Sequence, residues 1–122
     1  MLKNVNRLQA FVNAAKGLMV LAKQTNAQLQ ALALLLTLCL SGYFKIDRWE
    51  WVAVCLASVF VLALEALNTA IEIVVDQASP EWSEWARQAK DVSATAVLLA
   101  SVAALAVGFL VFGPRFFQLA WG

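Results

Sequence analysis

The sequence predicts an all-α membrane protein, an N-terminal interfacial amphipathic helix followed by three transmembrane helices. Hydrophobic residues make up 62% of its 122 residues and charged residues only 14%, far from the balance of soluble domains. Residues 24–44 and 92–114 carry no charge, and residues 51–75 carry only Glu65 and Glu72. Each stretch is near the ~20 residues that a bilayer core requires. Three short helices enclose little by themselves, so a homo-oligomer is expected.

Residues 6–24 form the surface helix. Leu8, Phe11, Val12, Ala15, Leu18, Met19 and Ala22 recur at helical spacing, while Asn6, Gln9, Asn13, Lys16 and Lys23 fall largely on the other side. A basic amphipathic helix of this kind lies along a membrane interface. Residues 1–23 lack the continuous apolar core of a cleavable leader, so the first span is expected to be retained. That span covers 28–44 and ends at Ser41-Gly42. The turn Lys45-Ile46-Asp47-Arg48 is short enough to make the second span, 50–76, its antiparallel neighbour.

After Asp76, Ser79 is expected to cap a short cytoplasmic helix with Pro80 at its first position. The third span, 92–112, is rich in small residues, including Ser93, Ala94, Ala96 and Ala100, and Gly113-Pro114 is expected to close it. All of this is one domain, 1–122.

Lys3, Arg7, Lys16, Lys23, Arg87 and Lys90 flank one side of these spans, and Lys45, Arg48 and Arg115 the other. The positive-inside bias places the N-terminus and the 76–91 loop in the cytoplasm. Tyr43, Phe44, Trp49 and Trp51 mark the outer interface, and Trp82 and Trp85 the inner one. No nucleic-acid partner is expected. Cys39 and Cys55 stand alone in separate spans and are expected to be small packing residues. There is no histidine, which excludes His-based triads, a haem His ligand and the usual zinc sites.

The second span holds the candidate chemistry. Glu65, Asn68, Glu72 and Asp76 are offset by 3, 7 and 11 residues and return to one face over roughly 16 Å. Carboxylates in hydrocarbon cost a few kcal/mol or more and ordinarily face a bundle interior, a partner or a wet site. Such a row marks function, and acids in a membrane helix also build proton relays.

The segment from Glu65 to Asp76, followed by Ala89-Lys90-Asp91 and Ala94-Thr95-Ala96-Val97-Leu98, resembles the signature of the small bacterial integral-membrane diacylglycerol kinases, a family that also contains undecaprenol kinases. The resemblance covers most of the chain. It implies a homotrimer in the bacterial inner membrane with active sites between protomers. It also implies transfer of the ATP γ-phosphoryl group to the primary hydroxyl of a membrane lipid, diacylglycerol or alternatively undecaprenol. Glu65 matches the family's catalytic base, Glu72 its metal-binding carboxylate, and Asn68 an amide that contacts phosphate or orients Glu65. Lys90 and Asp91 match its nucleotide-binding pair; Glu81, Trp82 and Ser83 align with a nucleotide-contacting stretch.

One segment departs from the family. Where members carry Glu-x-Asn-x-Arg-x-His or a variant of it, this chain has Gln24-Thr25-Asn26-Ala27-Gln28-Leu29-Gln30. The second Mg²⁺ ligand thereby falls on Gln24, whose amide oxygen coordinates without charge. A catalytically silent homologue and a proton-coupled membrane subunit are the competing expectations. No Walker glycine loop and no HRD or DFG pattern is present, so any ATP site differs from those of soluble kinases.

Overall fold

A computed structural model describes residues 6–122, so Lys3 lies outside the described residues. The fold is helical: α1 (Arg7–Ala22), α2 (Thr25–Phe44), α3 (Arg48–Ala78) and α4 (Glu84–Trp121). The last three are long and apolar enough to cross a membrane. Asn6 caps α1, its side chain accepting from the Gln9 amide at 2.7 Å. Nothing on α1 is buried, and Leu8, Phe11, Leu18 and Met19 are all exposed.

The joint between α1 and α2 is tighter than the expected boundaries of 24 and 28. Lys23 and Gln24 donate backbone hydrogen bonds to Val20 and Leu21 at 3.2 and 3.0 Å, and α2 starts at Thr25. Gln28 reaches back from the first turns of α2 and donates to the Ala22 carbonyl at 3.0 Å. It thereby satisfies one of the carbonyls that a helix end leaves open. The glutamine-rich segment is therefore helical and belongs to α2.

The hairpin between α2 and α3 is held by its caps. Lys45 adopts a left-handed conformation, φ 51°, and the Ile46 amide donates back to Ser41 at 3.3 Å. Ile46, expected within a polar turn, is buried against Val54, Val111 and Phe112. Asp47 and Glu50 form a capping box that starts α3. At this end Phe44 packs edge-on against Phe116 with ring centres 5.1 Å apart, and Leu40, Trp51 and Val107 surround the cluster. Toward the other end α3 buries Val61 and Val75, and α4 buries Ala86 and Ala100. A mostly apolar cavity of about 580 Å³ separates α2 from them.

Two expected breaks in α4 are absent. The helix starts at Ser83, whose hydroxyl accepts from the Ala86 amide at 3.3 Å, and not at Ser79. Ser79 instead donates to the Glu81 carbonyl within the loop, at 2.8 Å. From Glu84 onward the helix runs unbroken to Trp121, so the segment after the loop and the third span are one helix. Pro114 does not end it. Proline leaves the Leu110 carbonyl without its helical donor, and the next residue anchors the continuing helix: Arg115 Nη1 donates to the Val111 carbonyl at 2.6 Å and the guanidinium pairs with both Glu50 oxygens at 2.6 Å. The ion pair ties the start of α3 to the continuing helix. Cys39 and Cys55, expected as packing residues, are free and exposed.

Two expectations follow. Lys45→Gly removes the left-handed penalty and raises stability by roughly 0.5–1 kcal/mol, measured as unfolding in detergent micelles. Glu50→Gln and Arg115→Gln each lower the melting temperature, and the double variant falls no further than the worse single one, as a double-mutant cycle reads for one shared interaction.

Candidate functional site

The expected polar row lies on the buried side of α3. A helix of 31 residues is roughly 46 Å long, more than the ~30 Å hydrocarbon core, so one end of the row can stand clear of the apolar layer. Glu65 is 3% exposed and Asn68 7%; Glu72 is half-buried and Asp76 exposed. The row therefore grades from enclosed to open along the helix.

Each enclosed group meets a partner from another helix. Gln30 of α2 donates from Nε2 to Glu65 Oε2 at 3.3 Å. The Ser93 hydroxyl of α4, itself buried, donates to Asn68 Oδ1 at 2.6 Å and lies 2.9 Å from the Lys90 carbonyl. Asn68 in turn donates from Nδ2 to Glu72 Oε1 at 3.2 Å. A continuous line, Ser93 to Asn68 to Glu72, thus fixes the amide with its oxygen toward α4 and its NH₂ toward the carboxylate. The amide orientation follows from those two partners.

At the open end the ion pairs differ from the simple Lys90-Asp91 pairing that adjacency suggests. Lys90 pairs with Asp76 across the two helices. Asp91 is held at 2.7 Å by Arg87, which also grips Glu84. Neighbours on a helix point about 100° apart, whereas residues three and four apart share a face. Asp76, Ser79, Glu81, Trp82, Arg87 and Lys90 line a cleft of about 250 Å³ at this end. The indole of Trp82 is largely exposed, and Ser83 is engaged as the α4 cap.

Of the sequence-derived residues, Glu65, Asn68 and Glu72 lie along one connected side of α3. Glu81, Trp82, Ser83 and Lys90 gather at the cleft. Gln24 stands at the start of α2, and its side chain does not cap that helix. Among the described residues no cluster of three acidic, histidine or cysteine side chains is disposed to hold a metal. Magnesium does not require one, because it commonly takes one or two protein carboxylates and completes its shell with phosphate oxygens and water. Glu72 and the unengaged amide of Gln24 are hard oxygen donors of that type.

Three residues of the site were not singled out by sequence reasoning. Ser93 looked like a small packing residue, although its spacing of three from Lys90 put both on one face. Arg87 was counted only as a flanking charge, despite acids at three residues before and four after. Gln30 was one of three lost ionisable positions, and no local signal shows that it meets Glu65 across 35 residues.

Comparison with known proteins identifies the family. The family described as prokaryotic diacylglycerol kinase matches residues 12–112. The chain is 32% identical over 108 residues to an undecaprenol kinase of Bacillus subtilis (strain 168), with 88% of each chain covered. It is 44% identical over 55 residues to a diacylglycerol kinase of Sinorhizobium sp, covering 45% of this chain and 40% of that one. To a diacylglycerol kinase of Escherichia coli (strain K12) it is 33% identical over 76 residues, 62% of each. The chain thus spans less than two thirds of the length of these two diacylglycerol kinases. The family match takes in the acid row of α3, the loop after it and the Lys90-Asp91 turn of α4, and on that extent the chain belongs to the prokaryotic diacylglycerol kinase family.

Proposed function

We propose that this chain is an ATP-dependent lipid kinase that transfers the γ-phosphoryl group to the primary hydroxyl of diacylglycerol, giving phosphatidic acid. The observation that carries the reading is Glu65, a carboxylate enclosed within a membrane-spanning helix and followed along one face by Asn68 and Glu72 toward a charged cleft. A lipid hydroxyl reaches Glu65 from the bilayer side. A nucleotide reaches the other end of the row from the cytoplasm.

In this mechanism Glu65 accepts the hydroxyl proton as the lipid oxygen forms its bond to the γ-phosphorus and ADP leaves. Asn68, fixed by Ser93, positions Glu72 and presents its amide to the phosphates. Glu72 and Gln24 would hold Mg²⁺, which offsets negative charge on the nucleotide phosphates. Lys90 offers a point charge to the phosphates in exchange for Asp76, and Asp91 contacts the nucleotide from its place beside Arg87. Glu81, Trp82 and Ser83 form the loop wall of the nucleotide cleft.

The assembly is a homotrimer in the bacterial inner membrane, with its N-terminus cytoplasmic and active sites shared between protomers. The exposed Leu105, Phe109 and Leu67 sides of the spans support an assembly that covers them. The apolar side of α1 is laid on the cytoplasmic surface of the bilayer. A second reading, phosphorylation of undecaprenol, is favoured by the likeness to the B. subtilis undecaprenol kinase over 88% of both chains.

Transfer of labelled phosphate from ATP in mixed micelles, with diacylglycerol and undecaprenol side by side, separates the two lipids. Glu65→Gln lowers kcat on the preferred lipid by roughly 10²–10⁴-fold, the range of a lost general base, while nucleotide binding is retained. Transfer unaffected by the substitution would remove Glu65 from the mechanism; no transfer to either lipid would sink the kinase reading. Gln24→Glu restores a ligand charge and lowers the Mg²⁺ concentration for half-maximal activity about tenfold, since charge count tunes affinity at hard-cation sites. An unchanged Mg²⁺ dependence would remove Gln24 from the metal shell.

A further inference from the structure

The amide of Gln30 is only half used. Its Nε2 donates to Glu65 Oε2 at 3.3 Å, yet its Oε1 is the one buried side-chain polar atom among the described residues that lacks a hydrogen-bond partner. A buried acceptor without a donor costs on the order of 1–3 kcal/mol, and the bilayer core offers no water to relieve it. Gln30 also lies on the wall of the apolar 580 Å³ cavity. The polar side chains of Thr37 and Ser58 on the same wall donate to their own helices, at 2.8 and 2.7 Å. Gln30 is thus the wall residue that reaches toward the acid row.

We propose that Gln30 is the positioning residue of Glu65 in both protonation states of that carboxyl. The inference rests on Glu65 as the proton acceptor of the lipid hydroxyl. Before transfer, Glu65 is an acceptor-only carboxylate and the Nε2–H of Gln30 holds one oxygen, leaving the other for the alcohol. After transfer, Glu65 carries the proton and becomes a donor. The proton arrives on the Glu65 oxygen that faced the alcohol; rotation of the carboxyl about its own terminal torsion brings that O–H round to Gln30, and rotation of the Gln30 amide by about 180° turns Oε1 to accept from it. Gln30 neither gains nor loses a proton. It exchanges one hydrogen bond for another, and the atom without a partner in the ionised state becomes the acceptor in the protonated state.

Few groups compete for this task. Between Thr25 and Phe44, α2 has no acidic or basic side chain. On α4 the nearest charged residues in sequence to Ser93, Lys90 and Asp91, are engaged by Asp76 and Arg87. On α3, Glu72 is two turns from Glu65 and is bonded by Asn68. A carboxylate at position 30 would repel ionised Glu65. An aliphatic side chain would leave both forms of Glu65 without this bond, whereas an imidazole offers a donor and an acceptor.

The test compares wild type with Gln30→Leu, which keeps volume, and Gln30→His, which keeps both hydrogen-bonding roles. Gln30→Leu is expected to lower kcat for phosphoryl transfer at least tenfold, with KM for ATP and the detergent melting temperature little changed. Gln30→His recovers a large part of the loss. An unchanged kcat in Gln30→Leu, or a loss that follows the melting temperature and is not recovered by histidine, overturns the proposal. The infrared carboxyl band of Glu65, identified by its disappearance in Glu65→Gln, gives a readout without turnover. If the wild type transfers no phosphate, the kinase reading fails while the band still decides for Gln30: a shift in Gln30→Leu supports the contact and no shift overturns it.

Discussion

A carboxylate and an amide set into an apolar helix have no water to turn to, and Glu65 and Asn68 depend on what the neighbouring helices bring them. Gln30 from α2 and Ser93 from α4 supply those partners. In hydrocarbon an unsatisfied polar group costs several kcal/mol, so the contacts constrain how the three helices are arranged as well as how the site is built. Ser93 is small enough to let α3 and α4 approach closely and polar enough to hold Asn68 once they do. The same contact that packs the helices therefore orients the amide that holds Glu72.

The two ends of the bundle are built differently. At the hairpin end Ile46, Val54, Val111 and Phe112 form a dry cluster, the Asp47-Glu50 capping box starts α3, and Arg115 ties Glu50 to α4. This end is a clamp. At the opposite end α3 and α4 are joined by polar contacts beside a cleft of about 250 Å³. α2 stands off from α3 and α4 along the apolar cavity, with Gln30 crossing to Glu65. Rigid packing at one end and open polar contacts at the other suit a protein whose substrates enter near a membrane surface.

The extent to which the site was legible follows from where its contacts lie. Glu65, Asn68, Glu72 and Asp76 fall on one helix, and the helical repeat alone places them on one face. The grading of burial from Glu65 to Asp76 followed from their order in an apolar stretch. Lys90, expected in a nucleotide-binding pair with Asp91, lies at the cleft, but its partner is Asp76, fourteen residues away, and the adjacent Asp91 turns to Arg87. The continuity of α4 was hidden for a related reason. Gly113-Pro114 reads locally as a stop, and what carries the helix past it includes an ion pair with Glu50, 65 residues away.

The sequence by itself determined the three spans, the short hairpin between the first two, and the polar face of α3, because each rests on composition or on a pattern within one segment. The likeness of the motif also determined the family to which the chain belongs. Tertiary structure decided which group meets each polar atom: Gln30 on Glu65, Ser93 on Asn68, Asp76 on Lys90 and Arg115 on Glu50. Those pairings depend on the rotation and depth of one helix against another, which side-chain packing fixes only when all three helices are together.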